Sequence, residues 1–210
     1  MISKKKLLHR SLLCVIIDKG YCDDARARSV ARKAAAAGAD MIQLRGKRAE
    51  TAALIRTAKF IKRIAGRYRI PLVVNDRIDV ALASGADGVH LGCGDISAEA
   101  ARTLLGRNAI IGISAATIEQ ARRAVRQGAS YIGAGPVFQT PVKKNKRASG
   151  VRFLRRVRRF NVPVVAIGGI NGENIYRLTE LGFNKVAVIR AVMNSRDPFG
   201  AARRLKEALT

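Results

Sequence analysis

Gln43, Arg45 and Lys47 are spaced two apart in the run Met41–Lys47 (MIQLRGK). Side chains alternate faces along an extended strand, so these three point the same way and present one amide and two cations together. Such a trio suits a phosphorylated anion. Two carboxylates follow apolar runs: Asp76 in Asn75-Asp76-Arg77, and Asp95 in the stretch that begins His90-Leu91-Gly92. A pair of hard oxygen ligands is what Mg²⁺ takes while keeping positions for substrate oxygens. Lys143 adds a third cation, and Gly168-Gly169 offers backbone amides of the kind that cradle phosphate. Together these groups describe a diphosphate site. Each also has a plainer reading. A lone aspartate after a strand can cap the next helix, a histidine in an apolar run such as His90 is commonly a core residue, and Tyr131 and Phe138 read as packing. No Ser-His-Asp signal stands out. Cys14, Cys22 and Cys93 are odd in number and lack C-x-x-C spacing, which argues against a disulfide framework or a zinc site and for a reducing cytoplasm.

Something must bring these distant positions together. The chain alternates short β-rich runs with amphipathic stretches. The expected strands are 13–17, 41–44, 72–74, 88–91, 110–113, 131–134, 164–167 and 186–189. Helical patterns cover 25–37, 49–67, 78–83, 98–105, 118–127, 151–160, 173–181 and 198–209. A weak repeat supports the alternation: AGADMIQL, SGADGVHL, QGASYIGA and LGFNKVAV each close a helix on a glycine and enter a strand at once. Continuously apolar strands separated by helices imply a parallel sheet covered on its outside, and eight units of about 26 residues predict an α/β fold of the (β/α)8 TIM-barrel type. A doubly wound open sheet is the alternative, but no G-x-G-x-x-G follows the first strand. In a barrel, active sites form from the loops after the strands, and that is where the polar residues gather. Ser114 ends the fifth strand, Thr140 to Lys143 follow the sixth, and Ile189 and Arg190 close the eighth.

The chain has 210 residues, 48% of them hydrophobic, enough for one packed domain over 1–210 with a basic extension over 1–11. Its longest apolar runs fall far short of the ~20 residues of a membrane helix. The net charge is +25, which must attract anions, whether phosphorylated metabolites, nucleic acid or acidic surfaces. The densest stretch, 143–159, has nine basic residues and no acidic one. Because the charge is otherwise spread along the whole chain, it reads as solvated helix faces more than as a nucleic-acid surface.

The segments IQLRGK, PLVVNDRIDVALASGADGVHLG, IIGIS, YIGAGPVFQTPVKK and VPVVAIGGI resemble the thiamine-phosphate synthase family, in order and spacing, from about Leu13 onward. The string N-D-R-x-D-x-A-x-x-x-G-A-D-G-x-H-L-G from Asn75 is the most specific part. The resemblance implies a (β/α)8 barrel that uses Mg²⁺. Its reaction would join 4-amino-2-methyl-5-(diphosphooxymethyl)pyrimidine to 4-methyl-5-(2-phosphooxyethyl)thiazole, through a pyrimidine carbocation, to give thiamine phosphate and diphosphate. It implies that Gln43, Arg45, Lys47, Asn75, Ser114 and Lys143 hold the pyrimidine diphosphate, with Arg45, Lys47, Ser114 and Lys143 acting in catalysis. It places Mg²⁺ on Asp76 and Asp95, and the thiazole phosphate at Thr140, Val142, Gly169, Ile189 and Arg190. A homo-oligomer is left open.

Four positions depart from the family pattern. Gly46 stands where it has glutamate, Ala115-Ala116-Thr117 where it has a histidine, Val142 where it has threonine, and Arg190 where it has serine. The diphosphate side is thus largely intact and the thiazole-phosphate side altered. Two rivals follow: a thiazole tautomerase-like paralogue, which would need a base and no paired aspartates, and a non-catalytic anion- or nucleic-acid-binding barrel, in which the diphosphate residues would be broken.

Overall fold

The first strand, β1 (Leu12–Asp18), is buried from end to end because both of its faces are covered. Leu12, Cys14 and Ile16 join an apolar cluster with Met41, Val73, Tyr131 and Val165. Leu13, Val15 and Ile17 join a second cluster that includes Val30, Ile61 and Leu205. That division fits a sheet closed on itself and wrapped in helices. The computed structural model, which describes residues 12–140 and 150–210, has eight parallel strands closed into a barrel in chain order. After β1 come β2 (Met41–Arg45), β3 (Leu72–Asn75), β4 (Gly88–Leu91), β5 (Ile110–Ala115), β6 (Tyr131–Ala134), β7 (Val164–Ile167) and β8 (Lys185–Val188), and β8 pairs back onto β1. The expected (β/α)8 barrel is therefore the fold. The 1–11 extension, Val142 and Lys143 lie outside the described residues.

The helices are α1 (Asp24–Ala36), α2 (Thr51–Arg67), α3 (Ile78–Ser84), α4 (Ala98–Leu105), α5 (Ile118–Arg126), α6 (Gly150–Val157), α7 (Tyr176–Thr179), α8 (Arg190–Met193) and α9 (Pro198–Glu207). Their starts are fixed locally. The Asp23 carboxylate accepts from the Arg26 amide, Ser97 Oγ accepts from Ala100, and Thr117 with Gln120 forms a capping box. The repeated glycines Gly38, Gly85, Gly128 and Gly182 all have positive φ, as a left-handed helix exit requires.

Two elements differ from expectation. The pattern over 173–181 yields only the short α7, because Asn171 Oδ1 accepts from the Glu173 and Asn174 amides and holds the entry as a turn. Ile189 does not end β8. It caps α8, a single turn that carries Arg190 at its start and is too short to leave a periodic trace. Among the described residues, no helix is long and apolar enough to cross a membrane.

Candidate active site

The strands of the barrel end at a cavity of about 600 Å³, in the range of small-molecule sites. Gln43, Arg45 and Lys47 enter it from β2, Asn75 and Asp76 from β3, and Ser114 from β5. Thr140 follows β6, Gly169 follows β7, and Ile189 and Arg190 follow β8. Ten of the residues singled out in the sequence thus share one space.

Arg45 is held from below. Its guanidinium pairs with the carboxylate of Asp18, its register partner on β1, and Asp18 is only 1% exposed. The second Asp18 oxygen accepts from the Gly20 amide at 3.0 Å. Sequence reading missed Asp18, although it too is a polar residue where an apolar strand stops. Lys47 reaches farther into solvent and lies 3.6 Å from Asp76 Oδ2, an exposed pairing that contributes little to stability.

Neither aspartate caps a helix, since those positions belong to Arg77 on α3 and Ser97 on α4. Asp76 sits in a left-handed conformation, φ 62°, with its amide donating to the His90 carbonyl. Asp95 Oδ2 accepts from the Gly92 amide at 2.6 Å, and its carboxyl is near enough to act on that of Asp76. Burial, then the charge and hydrogen bond of Asp95, push the Asp76 carboxyl above its ordinary value, against the opposing pull of Lys47 and Arg45. Two neighbouring carboxylates repel when both are charged, and a cation beside them relieves that repulsion. Hard oxygen donors with the remaining positions open to ligand oxygens fit Mg²⁺. Among the described residues no cluster of three or more His, Cys, Asp or Glu offers a fuller cage.

The cavity floor is polar and buried. His90 is 6% exposed, with Nδ1 2.9 Å from Tyr131 Oη and Nε2 3.0 Å from Ser114 Oγ. Gln43, 3% exposed, lines the same floor. His90 is thus a buried histidine with both ring nitrogens partnered, and Tyr131 packs in the barrel interior, as the plainer reading expects, while its hydroxyl meets the imidazole. What sequence reading missed is that they bond to each other and to Ser114, because each partner sits on another strand.

On the opposite rim, Gly168 and Gly169 have φ of 103° and 67°. Side chains there would collide with Pro136 and with the Gln139 carbonyl, so the backbone is brought close to the loop after β6. Arg190 is exposed, and its guanidinium forms no ion pair with the described residues. Of the other departures, Gly46 is buried against α2, where a Cβ would lie 2.7 Å from Leu54 Cδ1, so a glutamate would have to displace that leucine. The Ala116 amide donates to Gln120 Oε1 at 2.7 Å, and Gln120 reaches the cavity in the absence of a histidine.

A (β/α)8 barrel with a large cavity at its strand ends has the layout of a barrel enzyme, and the groups in this cavity suit a phosphorylated ligand. Known proteins narrow that class. The family described as thiamine monophosphate synthase matches residues 13–192, and the chain belongs to it. A thiamine-phosphate synthase of Methanocella arvoryzae is 42% identical over 200 residues, covering 94% of both chains. One from Ruminiclostridium cellulolyticum is 38% identical over 196 residues, covering 93% of each. Among solved structures, thiamine phosphate pyrophosphorylase from Pyrococcus furiosus superimposes with a TM-score of 0.88 at 37% identity, covering 97% of each chain.

Proposed function

We propose that this protein is a thiamine-phosphate synthase, a transferase that joins 4-amino-2-methyl-5-(diphosphooxymethyl)pyrimidine to 4-methyl-5-(2-phosphooxyethyl)thiazole with release of diphosphate. The observation that carries the reading is the cavity that ten of the family-matched residues line together, with Asp95 in the adjoining pocket. Arg45, fixed by Asp18, and the exposed Lys47 would neutralise the diphosphate, with Gln43, Asn75 and the Ser114 hydroxyl fixing its orientation. Lys143, outside the described residues, would add a further cation. The C–O bond to the diphosphate breaks with its electron pair going to the leaving oxygen, and the thiazole nitrogen attacks the resulting pyrimidine methyl cation. Cations placed at the leaving oxygens stabilise charge that develops only as that bond breaks. No protein nucleophile is needed. Asp76 and Asp95 would hold Mg²⁺, which supplies further charge neutralisation to the diphosphate when bound. Thr140, Gly169, Ile189 and Arg190 would receive the thiazole phosphate at the other rim.

The paired aspartates and the intact cation set favour this reading over a metal-free isomerase or a non-catalytic anion binder. The thiols of Cys14, Cys22 and Cys93 are free, which suits work in a reducing cytoplasm. Incubation with both substrates and Mg²⁺ should give stoichiometric thiamine phosphate and diphosphate. Absence of both products across a range of Mg²⁺ and substrate concentrations overturns the assignment.

A further inference from the structure

On the cavity floor, three side chains on three strands run in one hydrogen-bonded line from Tyr131 through His90 to Ser114. The barrel makes room for it. Gly112 on β5 is the register partner of both His90 and Tyr131, and a Cβ there would lie 2.1 Å from the Tyr131 ring. Gly133 on β6 is the register partner of Ser114, and a Cβ there would lie 2.7 Å from the His90 ring. Two interior positions that could hold packing side chains are empty, so the phenol and the imidazole meet across β5.

We propose that Tyr131 and His90 are positioning residues that act through Ser114, setting the direction of the hydrogen-bond line so that the serine hydroxyl hydrogen faces the cavity. The inference rests on the reading that the cavity takes a diphosphate. A neutral imidazole donates from one nitrogen and accepts at the other, so only two directions exist. In one, Ser114 donates to His90 and turns lone pairs toward the ligand. In the other, Tyr131 donates to His90 Nδ1, Nε2–H donates to Ser114 Oγ, and the serine hydrogen is free for the ligand. A diphosphate only accepts hydrogen bonds, and the cations Arg45 and Lys47 line the same space. The second direction is therefore the productive one. It requires a neutral, donating phenol, and burial does push the Tyr131 hydroxyl well above its ordinary value.

The tautomer of His90 reads the direction without any substrate. The chain has two histidines, so long-range ¹H–¹⁵N correlation on the full-length protein gives two ring patterns, and His90→Gln identifies one of them. His90 should carry its proton on Nε2, and in Tyr131→Phe, which keeps the ring against Gly112, the single tautomer should be lost. Tyr131→Phe should also lower kcat/KM for the pyrimidine diphosphate about tenfold, the scale of one well-placed hydrogen bond, with KM for thiazole phosphate within about twofold. In a Ser114→Ala background the same change should cost less than about threefold, because its route has been removed. An Nδ1–H tautomer in the wild-type protein, unaltered kinetics in Tyr131→Phe, or a full additional loss in the Ser114→Ala background each overturns the proposal. A wild-type protein that makes no thiamine phosphate defeats the proposed function instead, and the tautomer alone then decides the direction of the line.

Discussion

Asp18→Asn isolates the anchoring of Arg45 from the presence of Arg45. The substitution keeps the size of the side chain, and its remaining oxygen can still accept from the Gly20 amide, but the charge opposite the guanidinium is gone. Asp18 is 1% exposed while Arg45 retains 23%, so the pair is buried on one side only. Removing one partner of a fully buried pair costs about 3–5 kcal/mol, whereas loss of a charge-assisted hydrogen bond with partial solvent access costs about 1.5–3 kcal/mol. The lower range applies, because the orphaned guanidinium reaches water. For a chain of this size each kcal/mol lowers Tm by about 2–4 °C, so the melting temperature should fall by roughly 3–12 °C and the protein should remain folded at 25 °C. The effect on activity has a separate origin. If freeing Arg45 removes even about 1.4–2.8 kcal/mol of the preorganised attraction for diphosphate, kcat/KM falls about 10- to 100-fold. Steady-state kinetics with each substrate varied should place this loss on the pyrimidine diphosphate and leave KM for thiazole phosphate nearly unchanged. A variant that melts within a degree of wild type and keeps kcat/KM within threefold would refute the idea that the buried carboxylate sets Arg45.

Chelation of divalent ions should abolish turnover reversibly, and Asp76→Asn should lower kcat by at least about 100-fold at saturating Mg²⁺ without loss of the fold, as followed by circular dichroism. Asp95→Asn should flatten the pH dependence of stability in metal-free buffer. The raised Asp76 carboxyl makes its contribution in full below the ordinary carboxylate value and loses it as pH rises through the raised one, and removing Asp95 brings that value down, so denaturant midpoints should fall less between about pH 3 and 7 than in wild type. Arg190→Ser should raise KM for thiazole phosphate about tenfold and spare the pyrimidine diphosphate, because this exposed guanidinium forms no ion pair with the described residues and lines the cavity at this rim. Higher activity in Arg190→Ser would mark the arginine as an obstruction. Arg155→Ala, on the exposed face of α6, should leave both constants alone, and an effect equal to that of Arg45→Ala would point to diffuse attraction in place of a site.

What the residues announced by themselves was whatever depends on periodicity or on a strand's last residue. Eight apolar runs, four helix-closing glycines and the polar residues after each run are local signals, and the barrel and most of the cavity follow from them. What they withheld depends on register. Asp18 and Arg45 are 27 residues apart and meet only because β1 and β2 pair at that step, which no local pattern encodes. The histidine of GVHL looks like any interior residue until Tyr131 and Ser114 arrive from two later strands. Gly112 makes the same point from the opposite side. In sequence, a glycine inside IIGIS reads as a weak point in a strand. In the barrel it is flanked by His90 on one side and Tyr131 on the other, and its missing side chain is the space in which they bond. A glycine between two strands that each bring a polar side chain to the same level is thus a signal in its own right, but one that can be read only after the register is known.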